Sequence, residues 1–388
     1  MEQFIGYGKQ WIDDDDIAAV LEVLKSDFLT QGPRIIEFEK ALAHYVGARY
    51  AVVVSSGTAA LHLAVKALNL DIRKQGITTP ITFAASSNCL IYNGLKPGFA
   101  DIDEKTYCID PKEIEKHVTA ETGVLIPVHF AGQPAEMREI YEIAKKHGIF
   151  IIEDASHAIG GKFENGRPVG SCCFSDMAIF SFHPVKTIAT GEGGAITTND
   201  KTLYERLSLL RNHGITKDSS AFKCCHPESP GPWYYEMQEL GYNYRITDIQ
   251  AALGISQLKK IDQFVRRRRE IIEMYNQAFA NIQWLTTPYE REGVFSAFHL
   301  YVIKIDFKQI DKSRTRVMQE LKAKGVGTQV HYIPVHLQPY YRENWGFKPW
   351  DYPKAEQYYK QCLSIPLFPK MTDEDVHRVI DAITALRK

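Results

Sequence analysis

The 388-residue sequence has no stretch of eighteen apolar residues, so no membrane-spanning helix is expected. Its opening, MEQFIGYGKQWIDDDD, lacks the basic and apolar regions of a secretory leader, which makes the cytoplasm the expected location. An excess of one charge is missing too. The 46 Lys and Arg stand against 47 Asp and Glu, a net charge of −1, which gives no electrostatic reason to expect nucleic acid or an anionic membrane as a partner. The 7 cysteines are an odd number for a disulfide framework and show neither C-x-x-C nor Cys/His zinc spacing. The adjacent pairs Cys172/Cys173 and Cys224/Cys225 therefore read as reduced thiols, and no metal is expected. There is no internal repeat, low-complexity tract or long Gly/Ser linker. A Walker loop is absent. The GEGG at 191–194 lacks G-x-G-x-x-G spacing and runs into strand-like AITTND, which disfavours a dinucleotide-binding dehydrogenase.

What is present is an ordinary globular composition, 45% hydrophobic and 24% charged, in a chain long enough for two domains. Short apolar runs alternate with amphipathic segments through the first two-thirds. AVVV precedes TAALHLAVKAL, GVLIPVHF precedes AEMREIYEIAKKHG, and IFIIEDAS follows that helix. The alternation predicts an α/β fold with a mostly parallel sheet covered on both faces, and such sheets bind ligands at the carboxyl ends of their strands. From Ile246 the pattern becomes helical for many turns, then mixed (YVIKIDF, TRVMQELKAKG, DEDVHRVIDAITALR). The expected division is a large domain at 1–245 and a smaller α+β domain at 246–388. The basic run Arg266 to Arg269 reads as a solvated helix face, since consecutive helical positions point in different directions.

Four signals fall where strand ends would place them. In VVVSSGTAALHLAV a buried strand turns through small residues into a helix, whose free N–H groups and dipole suit a phosphate. Gly57 there permits close approach and Thr58 can cap, although an ordinary capped helix has the same residues. In FIIEDASHAIGG, Asp154 ends an apolar strand and needs a cationic partner; a structural salt bridge would also serve. Phe83 lies just past another strand, where a core aromatic is equally at home. In SFHPVKTIATGEGGAI, Ser181 ends a strand and Lys186 follows among apolar residues; lysines near apolar residues commonly snorkel to the surface. One ligand accounts for all four. Pyridoxal 5′-phosphate needs a lysine for its aldehyde carbon, an acid for its ring nitrogen, an aromatic face and a phosphate anchor. Lys186 must then lose its proton more readily than a free lysine, whose pKa is roughly 10.4, and burial beside a cationic ring acts in that direction.

With those motifs in place the sequence resembles the DegT/DnrJ/EryC1/StrS sugar aminotransferases, fold-type I pyridoxal phosphate enzymes that aminate keto-sugar nucleotides. The resemblance rests on SDFLTQGPRIIEFEKALAHYVGARYAVVVSSGTAALHLA, TTPITFAASSN, IIEDASHAIGG, SFHPVKTIATGEGGAI, LGYNYRITDIQAALGISQLKK and VHYIPVHLQPYY, in that order. It implies a covalent attachment at Lys186, Asp154 on the pyridine nitrogen, Phe83 on the ring, and Gly57, Thr58 and Ser181 on the phosphate. It further implies His157 beside the ring hydroxyl or substrate, His331 toward the sugar nucleotide, and Asn243 reaching the phosphate in the other subunit of a homodimer with shared active sites. L-glutamate is the implied amino donor. HGITKD and GPWYYE are most like members that act at C4 of a UDP-linked 2-acetamido-2,6-dideoxy-hexos-4-ulose in pseudaminic acid biosynthesis. Another keto sugar nucleotide, or a non-catalytic binding homologue, stays open beside this. Lys186 argues against the branch of the family that carries histidine there and dehydrates. Ala85, Ser86 and the 224–230 loop CCHPESP depart from the family motifs.

Overall fold

The computed structural model describes residues 4–72, 74–224 and 231–387; most of the CCHPESP loop, from Cys225 to Pro230, lies outside the described residues. In chain order the first elements are α1 (Asp14–Leu24), α2 (Pro33–Val46), β1 (Tyr50–Val54), α3 (Gly57–Ala67), β2 (Gln75–Thr78), α4 (Ala85–Tyr92), β3 (Lys96–Phe99), α5 (Pro111–His117), β4 (Thr122–Ile126), α6 (Met137–His147), β5 (Phe150–Asp154), β6 (Met177–Ser181), β7 (Gly194–Thr198) and α7 (Lys201–Arg211). A short hairpin, β8 (Ile215–Thr216) and β9 (Glu236–Met237), leads to α8 (Asp248–Lys259) and α9 (Ile261–Phe279). The chain ends with β10 (Leu285–Thr286), β11 (Tyr301–Ile305), α10 (Arg314–Ala323), α11 (Pro339–Trp345), α12 (Pro353–Gln361), β12 (Cys362–Ile365) and α13 (Asp373–Thr384).

Seven strands form one sheet in the order β1-β7-β6-β5-β4-β2-β3. The pairs from β6 through β5, β4 and β2 to β3 are parallel, and β7 alone runs the other way, antiparallel to both β6 and β1. The near-continuous apolar runs of these strands follow from burial on both faces. Along β1, Ala51 and Val53 enter the core shared with α2, while Val52 and Val54 enter the opposite core shared with α3, the period of two that a pleated strand imposes. β1 lies at the sheet edge, and side chains take up both outward backbone groups of Val53. Val53 N–H donates to Glu39 Oε1 at 3.0 Å, and Arg211 Nη1 donates to Val53 O at 2.8 Å. At Val53 the edge is thus closed to further strand pairing.

The packing after Ile246 is shared between two cores. The helical stretch after Ile246 is two helices, and α8 packs on α1 and α2, with Ala251 and Leu258 inside the large core. Within α9, Phe264 and Val265 belong to that core, whereas Ile271, Ile272, Tyr275 and Phe279 belong to a second one. We place the division inside α9 on this packing. The second core lies among α9, α10, α13 and the antiparallel sheet β10-β11-β12. Residues Val335, Tyr341, Tyr352 and Tyr358 return to the large core, and Ile5 near the N-terminus joins the second one, so the chain crosses between the two cores repeatedly.

The basic run corrects the expectation of a solvated face. Arg268 is 1% exposed and donates to the carbonyls of His299 and Leu367 at 3.0 and 2.9 Å, while Arg267 pairs with Asp373 and Arg269 with Glu290. Only Arg266 of the four is exposed. The divergent directions of a helix put Arg268 inward. No described helix is long and apolar enough to cross a membrane, and the six described cysteines are free thiols.

Candidate active site

The register of the sheet brings three positions into one row: Val54 pairs with Gly194, and Gly194 with Ser181. The carboxyl ends of β1 and β6 therefore flank the start of β7. Just beyond them opens a cavity of about 430 Å³, within the range of small-molecule sites. Its large-domain lining comes from the segments following β1, β2, β4, β5 and β6, the edge at which open α/β sheets take ligands. Gly57, Thr58, Phe83, Asp154, His157, Ser181, Lys186 and His331 all line it. Asn243 does not. It is exposed outside this cavity, bridged to Asn212.

After β1 the chain turns through Ser55 and Ser56 into α3. Ser55 N–H donates to Tyr244 O at 2.9 Å, and Ser56 caps the helix by accepting from Ala59 N–H at 3.1 Å. Gly57 and Thr58 open the first turn, where N–H groups have no partner inside the helix. This turn is pressed against the sheet. A Cβ at Gly57 would stand 2.8 Å from Ser181 Cβ, and one at Gly194 would stand 2.4 Å from Ser56 O. Only glycine fits either place, and the result is a cradle of main-chain donors beside the Ser181 hydroxyl.

Asp154 ends β5 and is 4% exposed. Its Oδ1 accepts from Ser156 N–H at 3.1 Å and its Oδ2 from Ser86 Oγ at 2.6 Å. Lys186 sits in a turn where its N–H donates to His183 O at 2.8 Å. Burial lowers its pKa to about 8, against an opposing pull from the Asp154 carboxylate. Three histidines surround it. Burial, reinforced by the Lys186 charge, holds His157 and His299 well below the ordinary histidine value and His331 at about 3. All three stay uncharged near neutral pH, so these rings add no positive charge beside the lysine. His157 Nε2 meets Tyr332 Oη at 3.2 Å, and its ring lies 4.5 Å from that of His299. His331 Nδ1 is fixed to Ser364 Oγ at 2.7 Å. Phe83 is 64% exposed and presents its ring at the mouth, 6.4 Å from Tyr332.

These residues fit pyridoxal phosphate on three counts. The Gly57/Thr58 cradle suits a dianion, Asp154 is a buried acid with donors fixing both oxygens, and Lys186 is an amine with lowered proton affinity. The buried nitrogens His157 Nδ1 and His299 Nδ1 have no hydrogen-bond partner among the described residues, as expected of groups that face a ligand. Several lining residues were not singled out from the sequence: Tyr7, Thr82, Glu192, His299 and Tyr332, with Ser86 noted only as a departure. A histidine directly ahead of a strand (FHLYVIK) and a hydroxyl pair four apart in TFAAS were the available signals; Tyr7 had none.

Comparison with known proteins agrees with this geometry. The pattern of the DegT/DnrJ/EryC1/StrS aminotransferase family matches residues 10–384. The chain is 43% identical over 387 residues to the uncharacterized protein MJ1066 of Methanocaldococcus jannaschii, covering 100% of this chain and 98% of that one. It is 42% identical over 386 residues to the spore coat polysaccharide biosynthesis protein SpsC of Bacillus subtilis, covering 99% and 97%. It is 39% identical over 385 residues to UDP-4-amino-4,6-dideoxy-N-acetyl-beta-L-altrosamine transaminase of Campylobacter jejuni, covering 98% and 97%. Among solved structures, Helicobacter pylori PseC, an aminotransferase of pseudaminic acid biosynthesis, superimposes with a TM-score of 0.91 at 32% identity over 99% of both chains. The Streptococcus pneumoniae protein Spr1654 in its PLP form superimposes with a TM-score of 0.89 at 29% identity, covering 99% of this chain and 98% of that one.

Proposed function

The chain belongs to the DegT/DnrJ/EryC1/StrS aminotransferase family, a pyridoxal phosphate-dependent group, and on that premise we propose that it moves the amino group of L-glutamate to C4 of a UDP-linked 2-acetamido-2,6-dideoxy-hexos-4-ulose. The observation that carries the reading is the convergence of Lys186, Asp154 and the α3 N-terminus in one cavity at the strand ends. The 39% identity to the Campylobacter transaminase supports the UDP-sugar class, and the likeness to the Helicobacter enzyme supports a product on the way to pseudaminic acid.

In this reading Gly57, Thr58 and Ser181 hold the cofactor phosphate, Phe83 covers the ring, Asp154 faces the ring nitrogen and His157 lies at the ring's edge. When bound, the cofactor supplies an electron sink for the carbon that loses its proton. Lys186 Nζ would hold the cofactor and, once freed, would serve as the base and acid that moves a proton to and from the substrate carbon within each of the two half-reactions. Burial lowers its proton affinity, which favours the free amine that such proton transfer requires. His331, fixed by Ser364, faces the sugar nucleotide.

The protein works as a homodimer in this proposal, with Asn243 serving the other subunit's phosphate. Large apolar side chains exposed on and after α1 (Ile17, Leu21, Leu24, Phe28 and Leu29) support a covered face. A cytoplasmic location belongs to the same proposal and is consistent with the free thiols.

A second reading has its own support. The Bacillus relative is slightly more similar than the Campylobacter one and is named for spore coat polysaccharide, so a different keto sugar nucleotide is the competing substrate. Incubation with glutamate and a panel of UDP-, dTDP- and GDP-linked 3- and 4-keto sugars, followed by product structure determination, separates them. Amination of the UDP-linked 4-keto sugar in preference to the others is expected; preference for another sugar or nucleotide refutes the narrower assignment.

A further inference from the structure

We propose that Ser86 is a positioning residue for Asp154, and that Thr82 sets the direction in which its hydroxyl donates. This rests on the reading of Asp154 as the partner of the ring nitrogen. Ser86 Oγ lies 2.6 Å from Asp154 Oδ2, 2.7 Å from Thr82 Oγ1 and 3.3 Å from Phe83 O. Thr82, Ser86 and Asp154 are all buried.

An ionised carboxylate can only accept, and a serine hydroxyl has one proton to give. A charge-assisted bond at 2.6 Å outweighs a neutral one at 3.3 Å, so the Ser86 proton goes to Asp154. The lone pairs of Ser86 then face Thr82, whose hydroxyl must be the donor in that contact. The two hydroxyls form a relay directed from Thr82 through Ser86 to the acid, each bond polarising the next.

The carboxylate needs such fixing. The terminal torsion of aspartate is broad and does not set the carboxylate plane by itself. Ser86 on α4 holds Oδ2, and the Ser156 N–H in the segment after β5 holds Oδ1, so the plane is pinned from two separate elements. The same turn presents Phe83 to the cavity mouth, with Ser86 N–H bonded to Phe83 O at 3.2 Å. One turn therefore carries both the aromatic cover and the group that aims the acid.

A double-mutant cycle tests this: Ser86→Ala, Asp154→Ala and the pair, with Ser86→Thr as the conservative control. The readouts on holoenzyme are the single-turnover rate with glutamate and the visible circular dichroism of the bound cofactor, which reports how the ring sits. The melting temperature of the apoprotein monitors folding. Ser86→Ala should slow the turnover roughly tenfold, the loss expected for a hydrogen bond to a charged group. It should also alter the dichroism, and Ser86→Thr should restore both. In the Asp154→Ala background, Ser86→Ala should change neither readout further. An equal loss in both backgrounds means that Ser86 acts elsewhere and overturns the proposal. So does wild-type behaviour of Ser86→Ala beside a slow Asp154→Ala, which leaves the reading of Asp154 standing. A fast Asp154→Ala removes that reading and the relay with it. Should Ser86→Ala not fold, Thr82→Val carries the test: a smaller change of the same sign supports the relay, and no change overturns it.

Discussion

Gly57 and Ser181 meet across the seam between α3 and β6 so closely that a single added carbon on the glycine would stand 2.8 Å from the serine Cβ. Real side chains do not tolerate that approach, so Gly57→Ala must push the first turn of α3 away from Ser181. The displaced turn should cost about 1–3 kcal/mol of cofactor binding, the usual range for overpacking. Titration of apoprotein with pyridoxal phosphate should show affinity reduced roughly tenfold or more, with the far-ultraviolet dichroism unchanged. Unaltered affinity would remove the cradle from the account.

The lysine environment gives a pH dependence with a defined sign. Lys186 loses its proton at about 8 rather than near 10.5, because burial disfavours its charge more than Asp154 favours it. Competitive labelling of apoprotein with acetic anhydride, read by peptide mass spectrometry, should therefore give Lys186 a reactivity that rises with pH to a midpoint near 8. Removing the carboxylate in Asp154→Ala should move that midpoint lower. His157, His299 and His331 are all held below the ordinary histidine value, so none of these three should add an inflexion near 6.5.

Arg268 contributes to stability. Burial pushes its pKa down to about 10, and its guanidinium is held by carbonyls from the segment before β11 and from Leu367 after β12. Arg268→Ala would leave a cavity and carbonyls without their donor, a loss of about 3 kcal/mol or more. Chemical denaturation of the apoprotein should show it; a change below about 0.5 kcal/mol, the range of ordinary surface substitutions, would mean that the arginine holds nothing together.

Much of the site could be read from the sequence because strand ends announce themselves. The apolar runs ending at Val54, Asp154 and Ser181 locate one edge of the sheet, and residues just beyond it are brought together whatever the loops do. The relay could not be read in this way. Thr82 and Ser86 look like any small polar residues at a helix start, and nothing in their spacing says that a carboxylate 68 residues away lies within reach. His299 and Tyr332 enter from the C-terminal part of the chain, and their placement depends on how that part docks. Where α8 packs was hidden for a similar reason. Helical periodicity marks which face of α8 is apolar but not which core receives it, and the answer, α1 and α2, is set by tertiary packing. Arg268 illustrates the limit of charge patterning: a run of four cations on a helix must send one of them inward.

The shared-site proposal predicts complementation. Asn243→Asp puts a negative charge against the partner's phosphate and should weaken it by about 1–3 kcal/mol, whereas Lys186→Ala disables its own subunit. A mixed dimer of the two collects both lesions in one site and leaves the other intact. Co-refolding the two mutants should therefore restore activity beyond that of the parents refolded separately. No gain, with mixed dimers confirmed by mass spectrometry, would contradict it.

The central claim is that the chemistry is organised on one amine, Lys186, and it can be tested without any substrate. Holoenzyme reduced with borohydride, digested and mapped by mass spectrometry should carry the cofactor on the peptide containing Lys186 and on no other lysine. Attachment to a different lysine, or none at all in a protein that has bound the cofactor, would contradict the account at its base.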